Sequence, residues 1–272
     1  MVLADLRGFR PGCGAVIRLE VKGGIGTLTI DRPAKRNALT YALLGEFLAA
    51  VKRAGEDPAV RVVIVTGSGG AFCAGTDLAD LATVPGPERG LRGRSDERER
   101  WWPLVACPKP VIAAIDGVAV GMGAEFTSQC DVRIASTRAR FAWNFALRGL
   151  VPDTGAGSWL LPRLVGHARA LELLYSGRFV EAEEALALGY VQRVVPPEQC
   201  LPAARELAQS FLSGSPFSQR RMKALVYQGL ERAQGEHMTA HAEALKACFG
   251  SADHKEGVAA FLEKRPARFT GQ

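Results

Sequence analysis

The chain has 272 residues, 47% of them hydrophobic and 23% charged, enough for a substantial core in one large domain or two small ones. Its longest apolar runs, such as residues 60–66, fall far short of a membrane span, and residues 1–14 scatter Arg, Gly and Pro with no apolar signal-peptide core, so a cytoplasmic protein without membrane attachment is expected. Lys and Arg number 34 against 28 Asp and Glu, a net charge of +6 that is spread rather than clustered, which argues against nucleic acid and suits a phosphate-bearing small molecule.

Residues 16–21 and 25–30 are rich in β-branched side chains and flank Lys22-Gly23-Gly24, a hairpin pattern. Asp31-Arg32-Pro33 breaks it. Thr40 then stands as a candidate N-cap, with Leu43, Leu44, Phe47, Leu48 and Val51 on one helical face. Asp57-Pro58 ends that helix, and residues 60–66 read as a strand, so the first third is β-β-α-β.

A glycine-rich stretch follows: Ala71-Phe72-Cys73-Ala74-Gly75-Thr76-Asp77-Leu78. Residues 88–100 carry nine charges in thirteen positions and read as a solvated segment or a lid over a ligand. Trp101-Trp102-Pro103 returns the chain to the core. A strand over 111–115 leads into a second stretch, Gly117-Val118-Ala119-Val120-Gly121-Met122-Gly123-Ala124-Glu125, and a helix through Gln129. A short strand over 131–134 follows. Val151-Pro152-Asp153-Thr154-Gly155-Ala156-Gly157 opens a helix over 158–164. Beyond Gly166 helices are expected over 168–175, 181–188, 201–212, 218–229, 236–249 and 255–262, with a strand-like run at 191–195. The expected division is an α/β core over 1–200 and a helical region over 201–272 that makes subunit contacts.

Helix N-termini leave N–H groups unpaired, and glycine lets a ligand approach them closely. Two such groups aimed at one point stabilise a developing oxyanion. Glu125 lies one turn into the second helix, where an acid is favoured by the helix dipole and is also placed for proton transfer. Asp153 reads either as a second acid or as the N-cap of the helix after it. Asp77 and Asp131 read as structural. The four histidines and six cysteines show no metal-binding spacing, and the cysteines read as reduced, buried thiols. Residues 67–72 fail the dinucleotide fingerprint at its last position, and no G-x-S-x-G elbow exists.

Together these segments resemble the crotonase, or enoyl-CoA hydratase/isomerase, family from about residue 16 to 269. The resemblance rests on Asp31-Arg32-Pro33-Ala34-Lys35-Arg36-Asn37-Ala38-Leu39, on Ala74-Gly75-Thr76-Asp77-Leu78, and on Gly117 through Cys130-Asp131. It extends to Gly149-Leu150-Val151-Pro152-Asp153, Ala185-Leu186-Ala187-Leu188-Gly189-Tyr190-Val191 and Phe261-Leu262-Glu263-Lys264-Arg265. It implies a spiral of ββα units with a helical trimerisation region, a homotrimer or dimer of trimers, and an acyl-CoA thioester as substrate, with coenzyme A entering as part of the substrate and no other cofactor or metal. By the same resemblance the backbone N–H groups of Thr76 and Met122 form the oxyanion hole. Arg36, Ala38, Ala74, Asp77 and Leu78 contact coenzyme A, and Phe261 and Lys264 reach a neighbour's coenzyme A. Glu125 matches the first of two hydratase glutamates. The second maps onto Phe145. Asp153 stands where several family isomerases carry an acid that moves a proton between C2 and C4. Trp143 and Phe145 are candidate walls of the acyl pocket. Three readings follow: a hydratase-like enzyme with an unusual acid pair, an isomerase with Asp153 as base, and a non-catalytic acyl-CoA-binding subunit.

Overall fold

The computed structural model describes residues 15–83 and 102–272; residues 88–100 and Trp101 fall outside them, as do 1–14. The chain opens with an antiparallel hairpin, β1 (Ile17–Lys22) and β2 (Ile25–Ile30), in which Ile17 pairs with Ile30 and Lys22 with Ile25. Helix α1 (Tyr41–Glu56) begins at Thr40, whose hydroxyl accepts the Leu43 N–H at 3.2 Å, the cap that the sequence suggests. Strand β3 (Val62–Gly67) returns parallel to β2, completing the expected β-β-α-β.

Three further parallel strands extend this sheet: β4 (Val111–Ile115), β6 (Val132–Ser136) and β9 (Arg193–Val195), giving the order β1-β2-β3-β4-β6-β9. Its inner strands are apolar on both faces, as a sheet covered on both sides requires. Side-chain alternation divides them. Val63, Val65, Val111, Ala113 and Ile115 join the cluster that holds Phe47, Val51 and Ala54 of α1. Val62, Ile64, Ile112, Ala114 and Ile134 face Ala203, Ala204 and Ala208 of helix α9 (Cys200–Leu212). The sheet-bound layer therefore extends to Leu212.

A small sheet carries β5 (Val118–Val120), β7 (Arg140–Ala142) and β8 (Val180–Glu181) in the order β5-β7-β8. Between these strands lie the short α2 (Leu78–Thr83) and α3 (Pro103–Ala106), then α4 (Met122–Gln129). The expected helix over 158–164 is two short ones, α5 (Ala156–Trp159) and α6 (Leu161–Val165). Pro162 lacks an N–H and stands in the first turn of α6, where proline is tolerated, so the break falls just before it. Helices α7 (His167–Ser176) and α8 (Ala182–Ala187) follow. After α9 the chain ends in α10 (Pro216–Gly229), α11 (Gln234–Gly250) and α12 (Ala252–Leu262).

Helix α4 is held from several sides, and every residue in it is buried. Phe126 stacks on Phe47 of α1 with ring centroids 4.6 Å apart. Burial of each ring contributes roughly 1.5–3 kcal/mol. At the far end the buried Arg133 guanidinium donates to the carbonyls of Cys130 at 2.6 Å and Thr127 at 3.2 Å. The Tyr190 hydroxyl lies 2.6 Å from Thr127 Oγ1 and 3.0 Å from Ser128 Oγ. Asp131 tethers α10 to the sheet: it accepts the Val111 N–H at 2.7 Å, Lys223 Nζ at 2.9 Å and the Tyr227 hydroxyl at 3.0 Å. Its structural reading fits these bonds.

Candidate active site

The two glycine-rich stretches lie against each other. Phe72 and Cys73 both donate to the Val118 carbonyl at 3.0 Å, and Val120 N–H donates to the Cys73 carbonyl at 2.9 Å. On the other side, Leu39 N–H donates to the Gly75 carbonyl at 2.9 Å, and Asp77 N–H donates to the Leu39 carbonyl at 2.8 Å. This bridge uses the groups flanking Thr76, so by strand alternation the Thr76 N–H points away from Leu39. The second turn is close by: a Cβ on Gly75 would stand 2.7 Å from the Val120 carbonyl oxygen and 3.5 Å from Met122 N. Gly75 also holds φ at +93°, a conformation that side chains rarely adopt. At Gly123 a Cβ would stand 2.1 Å from the Cys73 carbonyl oxygen, so only glycine lets α4 begin this close. Among the described residues no hydrogen bond uses the Thr76 or Met122 N–H. The junction thus holds two unpaired backbone donors.

Glu125 lies in the first turns of α4 with no solvent exposure. Its Oε2 accepts the Thr154 N–H at 3.0 Å and the Thr154 hydroxyl at 2.5 Å, and its Oε1 accepts the Gly157 N–H. Burial pushes its pKa up to about 7, the nearby Asp153 charge adds to the rise, and the Thr154 and Gly157 hydrogen bonds oppose it. Asp153 is exposed as a residue, yet protein surrounds its carboxyl closely enough to raise its pKa to about 6. It does not cap the next helix. Gly155 is at the N-cap position of α5, and the Ala156 N–H is taken by Thr154 Oγ1 at 3.3 Å.

The segment around Arg36 lies beside Ala74–Leu78. Ala74 N–H donates to the Arg36 carbonyl at 2.9 Å. Arg32 Nη1 bonds both the Ala38 carbonyl at 2.9 Å and Asp77 Oδ2 at 2.7 Å. That partnership holds the Asp77 carboxyl below its ordinary pKa, and Oδ1 accepts the Ala79 N–H at 3.1 Å, so Asp77 organises the loop. Arg36 is exposed, and Leu78 is 61% exposed. Arg36, Ala38, Ala74, Asp77 and Leu78 therefore form one neighbourhood next to the unpaired donors.

Phe145 is buried, and its ring comes within 3.9 Å of where a Cβ on Gly121 would stand, at the turn into α4. Trp143 sits in the core, edge-on to Tyr190 at 5.1 Å. Phe261 and Lys264 lie on the opposite end of the chain, exposed at and just beyond the end of α12. Among the described residues no hydrogen bond or ion pair joins them to Ala74–Leu78 within one protomer; Phe261 instead borders a cleft of about 490 Å³ with Ser215, Cys248, Val258 and Phe269. No cluster of metal-ligating side chains exists among the described residues.

Sequence reasoning passed over Thr154 and Gly157, whose groups hold Glu125. The signal was their place in the turn after Asp153, where Thr reads only as a helix-start residue.

The family model for enoyl-CoA hydratase/isomerase matches residues 20–272. A crotonyl-CoA hydratase from Syntrophomonas wolfei is 39% identical over 257 residues, covering 93% of this chain and 97% of that protein. A 1,2-epoxyphenylacetyl-CoA isomerase from Escherichia coli is 34% identical over 256 residues, covering 93% and 97%. The crystal structure of an enoyl-CoA hydratase from Bacillus anthracis superposes with a TM-score of 0.85 at 32% identity, covering 95% of this chain and all of that one. The mixed α/β fold is thus the crotonase fold that the sequence implies.

Proposed function

The chain belongs to the enoyl-CoA hydratase/isomerase family, and from that premise we propose that it is an acyl-CoA enzyme that shifts a double bond by proton transfer. The observation that carries this reading is the adjacency of two acids with raised pKa values, Glu125 and Asp153; by the family resemblance, the buried Phe145 stands where a hydratase carries its second glutamate. The thioester oxygen accepts the Thr76 and Met122 N–H groups, which stabilise the enolate as it forms. Asp153, with a pKa of about 6, is ionised at neutral pH and removes a proton from C2. The electrons move into a dienolate. Glu125, with a pKa of about 7, supplies a proton at C4. One proton then returns from Asp153 to Glu125, directly or through solvent, and no redox group or metal takes part. Arg36, Ala38, Ala74, Asp77 and Leu78 border the coenzyme A, and Phe145 and Trp143 bound the acyl group.

A hydratase reading is favoured by one feature: the Glu125 carboxylate is fixed by hydrogen bonds and could orient a water for attack at C3. A binding subunit without turnover is the third outcome. A time course with a 3-enoyl-CoA separates them. A stable 2-enoyl-CoA product supports the isomerase, and a 3-hydroxyacyl-CoA product supports the hydratase. No conversion, with retained acyl-CoA affinity, supports the binding subunit.

We also propose a homotrimer or dimer of trimers. Met222 and Val226 of α10, Met238 and Phe249 of α11, and Phe261 of α12 are each more than half exposed, a heavy apolar load on the three C-terminal helices. In such an assembly Phe261 and Lys264 would approach a neighbour's coenzyme A. Sedimentation of the purified chain tests this. The buried, unpaired Cys73, Cys107, Cys130 and Cys200 fit a reducing compartment such as the cytoplasm. No described helix is long and apolar enough to cross a membrane.

A further inference from the structure

Glu125 has three hydrogen-bond partners, and all three are donors. Thr154 supplies two of them to Oε2, its N–H and its hydroxyl. A hydroxyl has one proton to give and two lone pairs to accept with. The Thr154 oxygen already faces the Ala156 N–H at 3.3 Å and the Gln129 amide nitrogen at 3.4 Å. Its single proton is therefore directed at Glu125. The Thr154 backbone is itself anchored, because its carbonyl accepts the Trp102 indole N–H at 2.9 Å. A carboxylate offers about four lone-pair positions. Thr154 fills both on Oε2, and Gly157 fills one on Oε1. One position on Oε1 is left open.

We propose that Thr154 is a positioning residue that locks Oε2 of Glu125 as an acceptor, so that the carboxyl exchanges its proton only through the open position of Oε1. The consequence is electrostatic as well as geometric. Among the described elements packed on α4, α3, α5 and β5 carry no charged residue, α1 meets it through Phe47, and Arg133 of β6 lies at its far end against the Thr127 and Cys130 carbonyls. Among the described residues Asp153 is the charge that bears most on Glu125, and it repels the ionised form. Donation from Thr154 and Gly157 is then what keeps Glu125 able to release a proton near neutral pH.

This inference rests on the reading of Glu125 as a proton-transfer group, so its test reads the carboxyl itself. The full chain, labelled with 13C at glutamate side-chain carboxyls, is titrated by NMR, and the Glu125 signal is assigned by its loss in Glu125→Gln. Thr154→Val and Thr154→Ala are measured in parallel, so that one folded variant suffices. We expect Glu125 to titrate about one unit higher in either, a tenfold change in proton affinity, and Thr154→Ser to restore the wild-type value. The alkaline limb of kcat/KM with a 3-enoyl-CoA should move up by the same amount. An unchanged titration in the folded Val or Ala variant, or no recovery in the Ser variant, overturns the proposal. A shifted titration in a protein whose wild type turns over no enoyl-CoA supports the positioning role and refutes the catalytic reading instead.

Discussion

A Cβ on Gly157 would stand 2.5 Å from Glu125 Oε1, so this glycine and this carboxyl occupy one shared space. The glycine also donates its N–H to that oxygen. Replacing it with alanine adds helix propensity but pushes on a carboxyl that Thr154 holds from the other side. Gly157→Ala should therefore fold normally, as read by thermal unfolding, while kcat with the productive enoyl-CoA falls by about 10²-fold, the scale of a small misplacement of a reacting group. Wild-type turnover in that variant would show that the site tolerates a displaced Glu125.

Asp153→Asn removes both the proposed base and the charge that repels ionised Glu125. Turnover should fall by roughly 10²–10⁴-fold. In the same variant Glu125 should titrate lower than about 7, because a neighbouring negative charge no longer favours its neutral form. The 13C titration described above reads this directly, and a rise instead of a fall would contradict the pairing of the two acids.

Both acids have folded pKa values above their unfolded ones, so the folded state binds more protons than the unfolded state between the two values. The Glu125 window runs from 4.5 to about 7, and the Asp153 window from 3.8 to about 6. Stability contributed by these groups is thus full at low pH and falls as pH rises through those windows. For the fully buried Glu125 the change is on the order of 3 kcal/mol. Urea unfolding at pH 5 and pH 8 should show this drop, and Asp153→Asn should lessen it. An equal drop in wild type and variant would mean that Asp153 is not perturbed.

Gly75→Ala should separate the two turns. A side chain there meets both the Val120 carbonyl and an unfavourable φ of +93°. The backbone cost is about 1–3 kcal/mol. Because Met122 N is the next atom in reach, kcat should fall further than the loss of folded protein explains. Comparing kcat per folded molecule, with folding measured by circular dichroism, checks it.

Asp131→Ala should loosen the C-terminal helices without touching the acids. It leaves the Lys223 ammonium, only 9% exposed, without its carboxylate. A loss of about 3 kcal/mol is expected, the lower range for breaking a buried pair. Limited proteolysis should then cut first within or next to α10.

The sequence carried the strands and the cap of α1 because those are local: β-branched alternation and a Thr before an apolar stripe act within a few residues. The junction of Thr76 with Met122 was legible only through the family pattern, since nothing local says that two turns about 45 residues apart will meet. The hold of Thr154 on Glu125 was not legible. It depends on α5 arriving beside α4, and a threonine after an aspartate reads the same whether its hydroxyl caps a helix or orients an acid. The apparent single helix over 158–164 hid a break because periodicity weighs side chains and overlooks the N–H that Pro162 lacks.

Arg133 gives the buried α4 a second character. It sets a full positive charge against the carbonyl end of that helix, with no carboxylate beside it among its hydrogen bonds, while the amide end opens on the two unpaired donors. In the proposed mechanism the helix works as a clamped rod: its rear is bolted to Tyr190 and, through Arg133, to β6 of the large sheet, and its tip carries the Met122 N–H proposed for the thioester oxygen. A tilt introduced at the rear would be delivered as a displacement at the tip. Substitutions around Tyr190, remote from any substrate, should consequently alter reaction rate before they alter folding.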